Sequence, residues 1–131
     1  MSDWNDYDIE AKVLKALGTV PVVNEAGHHY GRAWITTYQL AIKVDELHPD
    51  LKKSLGLTVG GIGTGKQTSL AQYLAKQLSM NIKRSEGRYP VEGAFLSGIA
   101  LDELRFKGAN GEEVISSVTG TGYDLSLFRL L

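Results

Sequence analysis

The chain has 131 residues, of which 43% are hydrophobic and 22% are charged, and its net charge is −1. These values fit one globular domain with one core and exclude a disordered or fibrous chain. The sequence contains no cysteine, which excludes a disulfide framework, a thiolate zinc site and a cysteine nucleophile.

The sequence also lacks the patterns of a membrane or secreted protein. No apolar run approaches the roughly 18 residues of a membrane-spanning helix. The acidic segment 1–6 lacks the basic and apolar regions of a signal peptide. We therefore predict a cytoplasmic, single-domain protein spanning residues 1–131, with no membrane partner.

Charge is unevenly distributed along the chain. Residues 51–90 carry seven lysines and arginines against one acid, Glu86, whereas residues 1–50 and 91–131 are both net acidic. A local positive field guides a polyanion to a surface. The alternative is that folding interleaves the three blocks and disperses the basic one.

The first half of the chain is mostly helical by pattern. Apolar spacing predicts a helix over 8–17 that stops at Gly18, followed by a strand-like stretch at 20–23 and a loop. A capping box at Thr36 and Gln39 begins a second helix, which His48-Pro49 ends near residue 47. A short helix over 49–55 then stops at Gly56.

The second half begins with a glycine-rich loop, 60–65, and turns to strands. A helix is expected over 67–79, with competing capping boxes at Thr64/Gln67 and Ser69/Gln72. Strands at 81–84 and 91–96 would form a basic hairpin, 81–96. A second hairpin joins 104–106 to 114–116 through Asn110-Gly111, and 125–131 forms a last strand. The predicted fold class is α+β, with N-terminal helices and a C-terminal antiparallel sheet.

The order of these elements is similar to that of winged helix-turn-helix DNA-binding domains, over about residues 35–98. That resemblance rests on element order and charge, and it implies that helix 67–79 enters a major groove while hairpin 81–96 forms the wing. The loop before helix 67–79 is much longer than the usual turn of about 3–4 residues. The nucleic-acid-binding residues implied are Lys66, Gln67, Thr68, Ser69, Gln72, Lys76, Lys83, Arg84, Arg88 and Tyr89.

The function predicted is therefore non-catalytic nucleic-acid binding, with DNA favoured over RNA because a helix and a wing suit a major groove. One alternative is a protein-interaction or adaptor domain that uses the apolar tail 125–131 or the loop 57–66. That tail would either close the sheet or form a homodimer contact. Among the aromatic residues, Phe95 is expected in the core, while Tyr89 lies among cations and is a candidate for stacking on bases.

A second alternative is phosphate or nucleotide binding by the glycine-rich loop 60–66. Gly60 to Thr68 approaches a phosphate-binding P-loop, but Gln67 stands where a magnesium-binding hydroxyl is needed. No cofactor is therefore predicted. Adjacent His28 and His29 point to opposite faces of a strand, so no metal site is expected. Asp102-Glu103 and Glu112-Glu113 lie beside predicted strands and are expected to be solvated, so no catalytic residue is assigned.

Overall fold

A computed structural model of the protein describes residues 3–21, 32–60, 69–116 and 124–131. The fold is α+β, as predicted. The helices are α1 (Asp3–Asp6), α2 (Ile9–Gly18), α3 (Thr37–Leu47), α4 (Leu51–Leu55) and α5 (Leu70–Arg84). The strands are β1 (Ile35–Thr36), β2 (Val91–Leu96), β3 (Arg105–Lys107), β4 (Glu113–Ile115) and β5 (Leu125–Leu130).

The N-terminal helices follow the sequence signals closely. Thr36 caps α3 through the expected capping box, in which Gln39 N donates to Thr36 Oγ1 over 3.1 Å and Thr36 N donates to Gln39 Oε1 over 2.7 Å. α4 ends at Gly56, whose φ of 68° is the left-handed stop. Gly18 differs from the prediction, because it is the last residue of α2 and Thr19 ends the helix in the right-handed region.

α5 is longer than predicted, and this overturns the hairpin expected over 81–96. Its apolar spacing continues from Leu74 and Leu78 to half-buried Ile82, so residues 81–84 form its last turn. Lys83 and Arg84 also favour a helix C-terminus, where cations interact well with the helix dipole. The strand predicted over 81–84 was therefore wrong, and β2 takes its partner from elsewhere in the chain.

The main sheet has the order β1-β5-β2, and both pairings are antiparallel. The last strand is thus the central one, since both of its edges are hydrogen-bonded. Leu125 and Phe128 are each 2% exposed, so the apolar tail closes the sheet, one of the two roles predicted for it. The second hairpin is confirmed as a separate sheet of β3 and β4, with Gly111 at a φ of 84° in its turn.

The core lies where α2 and α3 pack against β5 and α5 packs against β2. Three hydrogen bonds fix the start of α5. Thr37 Oγ1 donates to the carbonyl of Ala71 over 2.7 Å, which joins α3 to α5. The amides of Leu70 and Ala71 donate to the carbonyls of Thr58 and Val59 over 2.6 and 2.9 Å. One face of α5 is thereby held against the protein while the other faces solvent.

Candidate nucleic-acid interface

The solvent-facing side of α5 carries no acidic residue. Gln72, Lys76, Ser79 and Lys83 follow one another at helical spacing and are all exposed. The opposite side buries Leu70, Ala71, Leu74 and Leu78 in the core. A surface helix usually mixes charges of both signs, so an acid-free exposed face gives a local positive field.

Two further exposed arginines lie at and just after the C-terminal end of α5. Arg84 ends α5 and Arg88 follows a tight turn, and both are exposed. The turn places Glu86 and Gly87 at positive φ, 50° and 85°, and Arg88 N donates to the carbonyl of Ser85 over 3.0 Å. We call Lys76, Lys83, Arg84 and Arg88 the basic face.

The cations of the basic face have no ion-pair partner among the described residues, as is also true of exposed Lys15, Lys53 and Lys107. Four other cations are paired with nearby carboxylates. These pairs are Lys43–Glu46, Lys52–Asp45, Arg105 with Glu103 and Glu113, and Arg129–Glu92. Folding therefore neutralises part of the basic block, at Lys52, and leaves the part on and after α5 open to an anion.

Two residues predicted for the interface, Ser69 and Tyr89, are buried and have structural roles. Ser69 is 3% exposed and caps α5, accepting from Gln72 N over 3.1 Å while Ser69 N donates to Gln72 Oε1 over 3.1 Å. This confirms one of the two competing capping boxes. The other, with Thr64, lies outside the described residues, as do Lys66, Gln67 and Thr68.

Tyr89 is not a free stacking surface, because only 9% of it is exposed. Its hydroxyl donates to Glu10 Oε1 over 2.7 Å and accepts from Asn81 Nδ2 over 3.3 Å. Burial, followed by the hydrogen bond to Glu10, raises the pKa of Tyr89 to about 12. Tyr89 thus connects α2 to the turn after α5. Because Glu10 lies far from Tyr89 in the sequence, no local sequence pattern could have predicted this contact.

An open apolar groove lies between α5 and the sheet, beside the basic face. Its volume is about 270 Å³. The lining consists of Ser79, Ile82, Lys83, Gly93, Ala94, Phe95, Ser126 and Phe128. Phe95 is 72% exposed, so the prediction that it packs in the core was wrong.

The sequence did carry a signal for this groove. Alternation along β2 places Phe95 on the same side as Val91 and Gly93, and a glycine in a strand often marks a close approach or an open site. A Cβ on Gly93 would lie 3.4 Å from Ile82 Cδ1. Without a side chain at this position, the floor of the groove stays uncovered up to Phe95.

The start of α5 does not form a phosphate cradle. Such a site needs free backbone amides at a helix N-terminus, but the amides of Leu70, Ala71 and Gln72 donate to Thr58, Val59 and Ser69. α5 also begins at Leu70, which comes after Lys66, Gln67 and Thr68 of the P-loop-like motif. The phosphate hypothesis is therefore left with the loop alone, whose residues 61–68 lie outside the described part.

No acidic or histidine cluster in the described part of the chain suggests a metal centre. Half-buried His48 has its pKa lowered by burial and by the charges of Lys12 and Lys15, and His28 and His29 are not among the described residues. Glu103 and Glu113 both pair with Arg105, and Asp102 is exposed.

Comparison of the chain with protein-family models, with curated proteins and with solved structures gives no match. Among the residues that the structure describes, no helix has the length and apolar character needed to cross a membrane.

Proposed function

We propose that this protein binds nucleic acid without catalysis, through phosphate contacts made by the basic face. The observation that carries the proposal is the combination of an acid-free exposed side of α5 with four exposed cations that pair with no described carboxylate. Lysine and arginine bind phosphates through charge-assisted hydrogen bonds. Displacement of condensed counterions from the nucleic acid then favours association.

The hairpin predicted over 81–96 does not form, because β2 pairs with β5 rather than with residues 81–84. The protein therefore has no wing at this position that would favour a duplex. The exposed side of α5 and the arginines after it remain available to phosphates. The proposal therefore concerns nucleic acid in general, and DNA is the first probe.

The proposal predicts a salt dependence of defined size. If the four cations each neutralise one phosphate, log K should fall with log salt at a slope of about −3, because each phosphate contributes about −0.7 to −0.9. Between 50 and 200 mM salt the affinity should then fall about 60-fold. Fluorescence anisotropy with a labelled DNA strand measures both quantities.

Charge reversal tests where the contacts lie. In the double variant Arg84→Glu/Arg88→Glu, the slope should become shallower by about 2 units, since each lost phosphate contact removes about one. The matched control is Lys53→Glu/Lys107→Glu, which reverses two exposed cations on α4 and β3, elements that do not pack extensively against α5. Equal losses in both variants, or no binding at low salt, would contradict the proposal.

A protein-interaction role has one observation in its favour. Three large apolar side chains are exposed near the end of β2, namely Phe95, Leu96 and Ile99. A protein partner would bind there with little dependence on salt, since apolar burial is not screened. A steep salt dependence located at Arg84 and Arg88 separates the two functions.

A further inference from the structure

We infer that Phe95 is a stacking platform for an unpaired nucleobase and that Lys83 binds the phosphate next to it, so that the preferred ligand is a single strand. This inference rests on the proposed function and adds to it the form of nucleic acid that is bound. It is carried by the groove between α5 and the sheet, whose lining joins one exposed aromatic ring to one cation of the basic face.

The surroundings of Phe95 leave its ring accessible. The β2–β5 register sets Phe95 opposite Ser126 and Gly93 opposite Phe128. Cross-strand partners lie on the same side of a sheet, so Phe95 has the small residues Gly93 beside it along β2 and Ser126 opposite it, with Phe128 diagonally opposite. The ring is 72% exposed, which is unusual for an aromatic residue on the helix-facing side of a sheet.

The residues that line the groove indicate which kind of ligand would bind there. The floor is apolar, with Ile82 and buried Phe128, while Ser79 and Lys83 on α5 supply a hydroxyl and a cation. None of the described residues that line the groove is acidic. A nucleotide matches this lining, because its base has flat apolar faces and its phosphate carries a negative charge.

Stacking on Phe95 requires an unpaired base, which favours a single strand over a duplex as the ligand. Paired bases are stacked on one another and cannot place a face on a protein ring, whereas an unpaired base can. Lys83 belongs both to the basic face and to the groove lining. A strand whose phosphates follow Lys76 and Lys83 would therefore bring a base to Phe95 without a second, separate site.

The test compares three labelled probes of equal length: an oligothymidylate, an abasic strand with the same number of phosphates, and a DNA duplex. We expect the oligothymidylate to bind at least about tenfold more tightly than the abasic strand, since one base–aromatic stack contributes a factor of this order. Phe95→Ala should remove this difference, and Phe95→Trp should keep it. Gly93→Val, which fills the groove, should reduce it without touching any charge.

The control is Leu96→Ala, which truncates the neighbouring exposed side chain on the opposite side of the same strand. This variant should keep the full preference for the oligothymidylate. Circular dichroism checks that each variant is folded, and an exposed position such as Phe95 should tolerate truncation.

The failures of the two proposals are distinguishable. If salt-dependent binding persists but the abasic strand and the duplex bind as well as the oligothymidylate, Phe95 is no stacking platform and only the inference fails. If Phe95→Ala instead abolishes a concentration-dependent dimer in sedimentation, the groove holds a second copy of the chain and the inference is overturned. If no probe binds at low salt, the proposed function fails as well.

Discussion

At the scale of single residues, two groups of described cations can be compared: those paired with carboxylates, and exposed ones that have no such partner. Arg129 shows the first group, since it pairs with Glu92 and its guanidinium lies 4.1 Å from the ring centre of Trp34. Arg84 and Arg88 show the second. Exposed ion pairs contribute little to stability, so the distinction matters mainly for the field that an approaching anion meets.

Tyr89 offers a test of a structural rather than a ligand-binding role. Tyr89→Phe removes the hydroxyl that donates to Glu10, and we expect a loss of about 1.5 kcal/mol in the free energy of unfolding, the scale of a hydrogen bond to a charged group. Urea denaturation at neutral pH measures it. Nucleic-acid affinity should stay unchanged, and Tyr7→Phe, an exposed tyrosine, should cost almost nothing.

The stability difference between the wild type and Tyr89→Phe should also depend on pH. The pKa of Tyr89 in the folded protein, about 12, lies above its ordinary value of 10.0, so the native state binds this proton more tightly than the unfolded state. The resulting stability is fully present below pH 10 and is lost as the pH rises from about 10 to about 12. The stability gap between the wild type and Tyr89→Phe should therefore narrow over that interval, and a constant gap would contradict the assignment.

At the scale of elements, α5 connects the core to the proposed interface. Its buried side is fixed by α3 and β2, and its first turn is closed by Ser69 and by the carbonyls of Thr58 and Val59. A helix held in this way presents its outer side in one orientation. A rigid element positions binding groups more precisely than a loop does.

Removal of the cap separates the stability of α5 from its binding. Ser69→Ala leaves Gln72 N without its side-chain acceptor and should lower the free energy of unfolding by about 1 kcal/mol, the usual cost of a lost N-cap. Thermal denaturation followed by circular dichroism measures the loss. Because Ser69 is buried, the affinity of the folded protein for DNA should not change. A large loss of affinity with unchanged stability would return Ser69 to the interface.

At the scale of the whole molecule, local signals predicted the helices and long-range pairing decided the rest. The capping boxes at Thr36 and Ser69 and the stop at Gly56 are complete within a few residues, so the sequence alone reveals them. The pairing of β5 between β1 and β2 joins segments about 30 and 90 residues apart. No local pattern specifies such a partner.

For the candidate site, too, the sequence predicted the local features and missed those that depend on long-range contacts. The acid-free side of α5 follows from helical spacing, and Lys76, Lys83, Arg84 and Arg88 are exposed as the DNA-binding hypothesis requires. The predicted wing was wrong because residues 81–84 continue α5. Tyr89 is not available for stacking because it is buried and hydrogen-bonded to Glu10 of α2. The exposure of Phe95 was not predicted, because strand alternation assigns this residue to the covered side, whereas 72% of it is exposed in the structure.

The most direct test of the account is to map the bound surface by nuclear magnetic resonance, titrating the ¹⁵N-labelled protein with a short oligothymidylate. Amide shift changes should concentrate in the second half of α5, in the turn through Arg88 and at Gly93 to Phe95, and should shrink as salt is raised. Changes confined to α2, α4 and the β3–β4 hairpin, or none at low salt, would contradict the claim that the basic face of α5 binds nucleic acid.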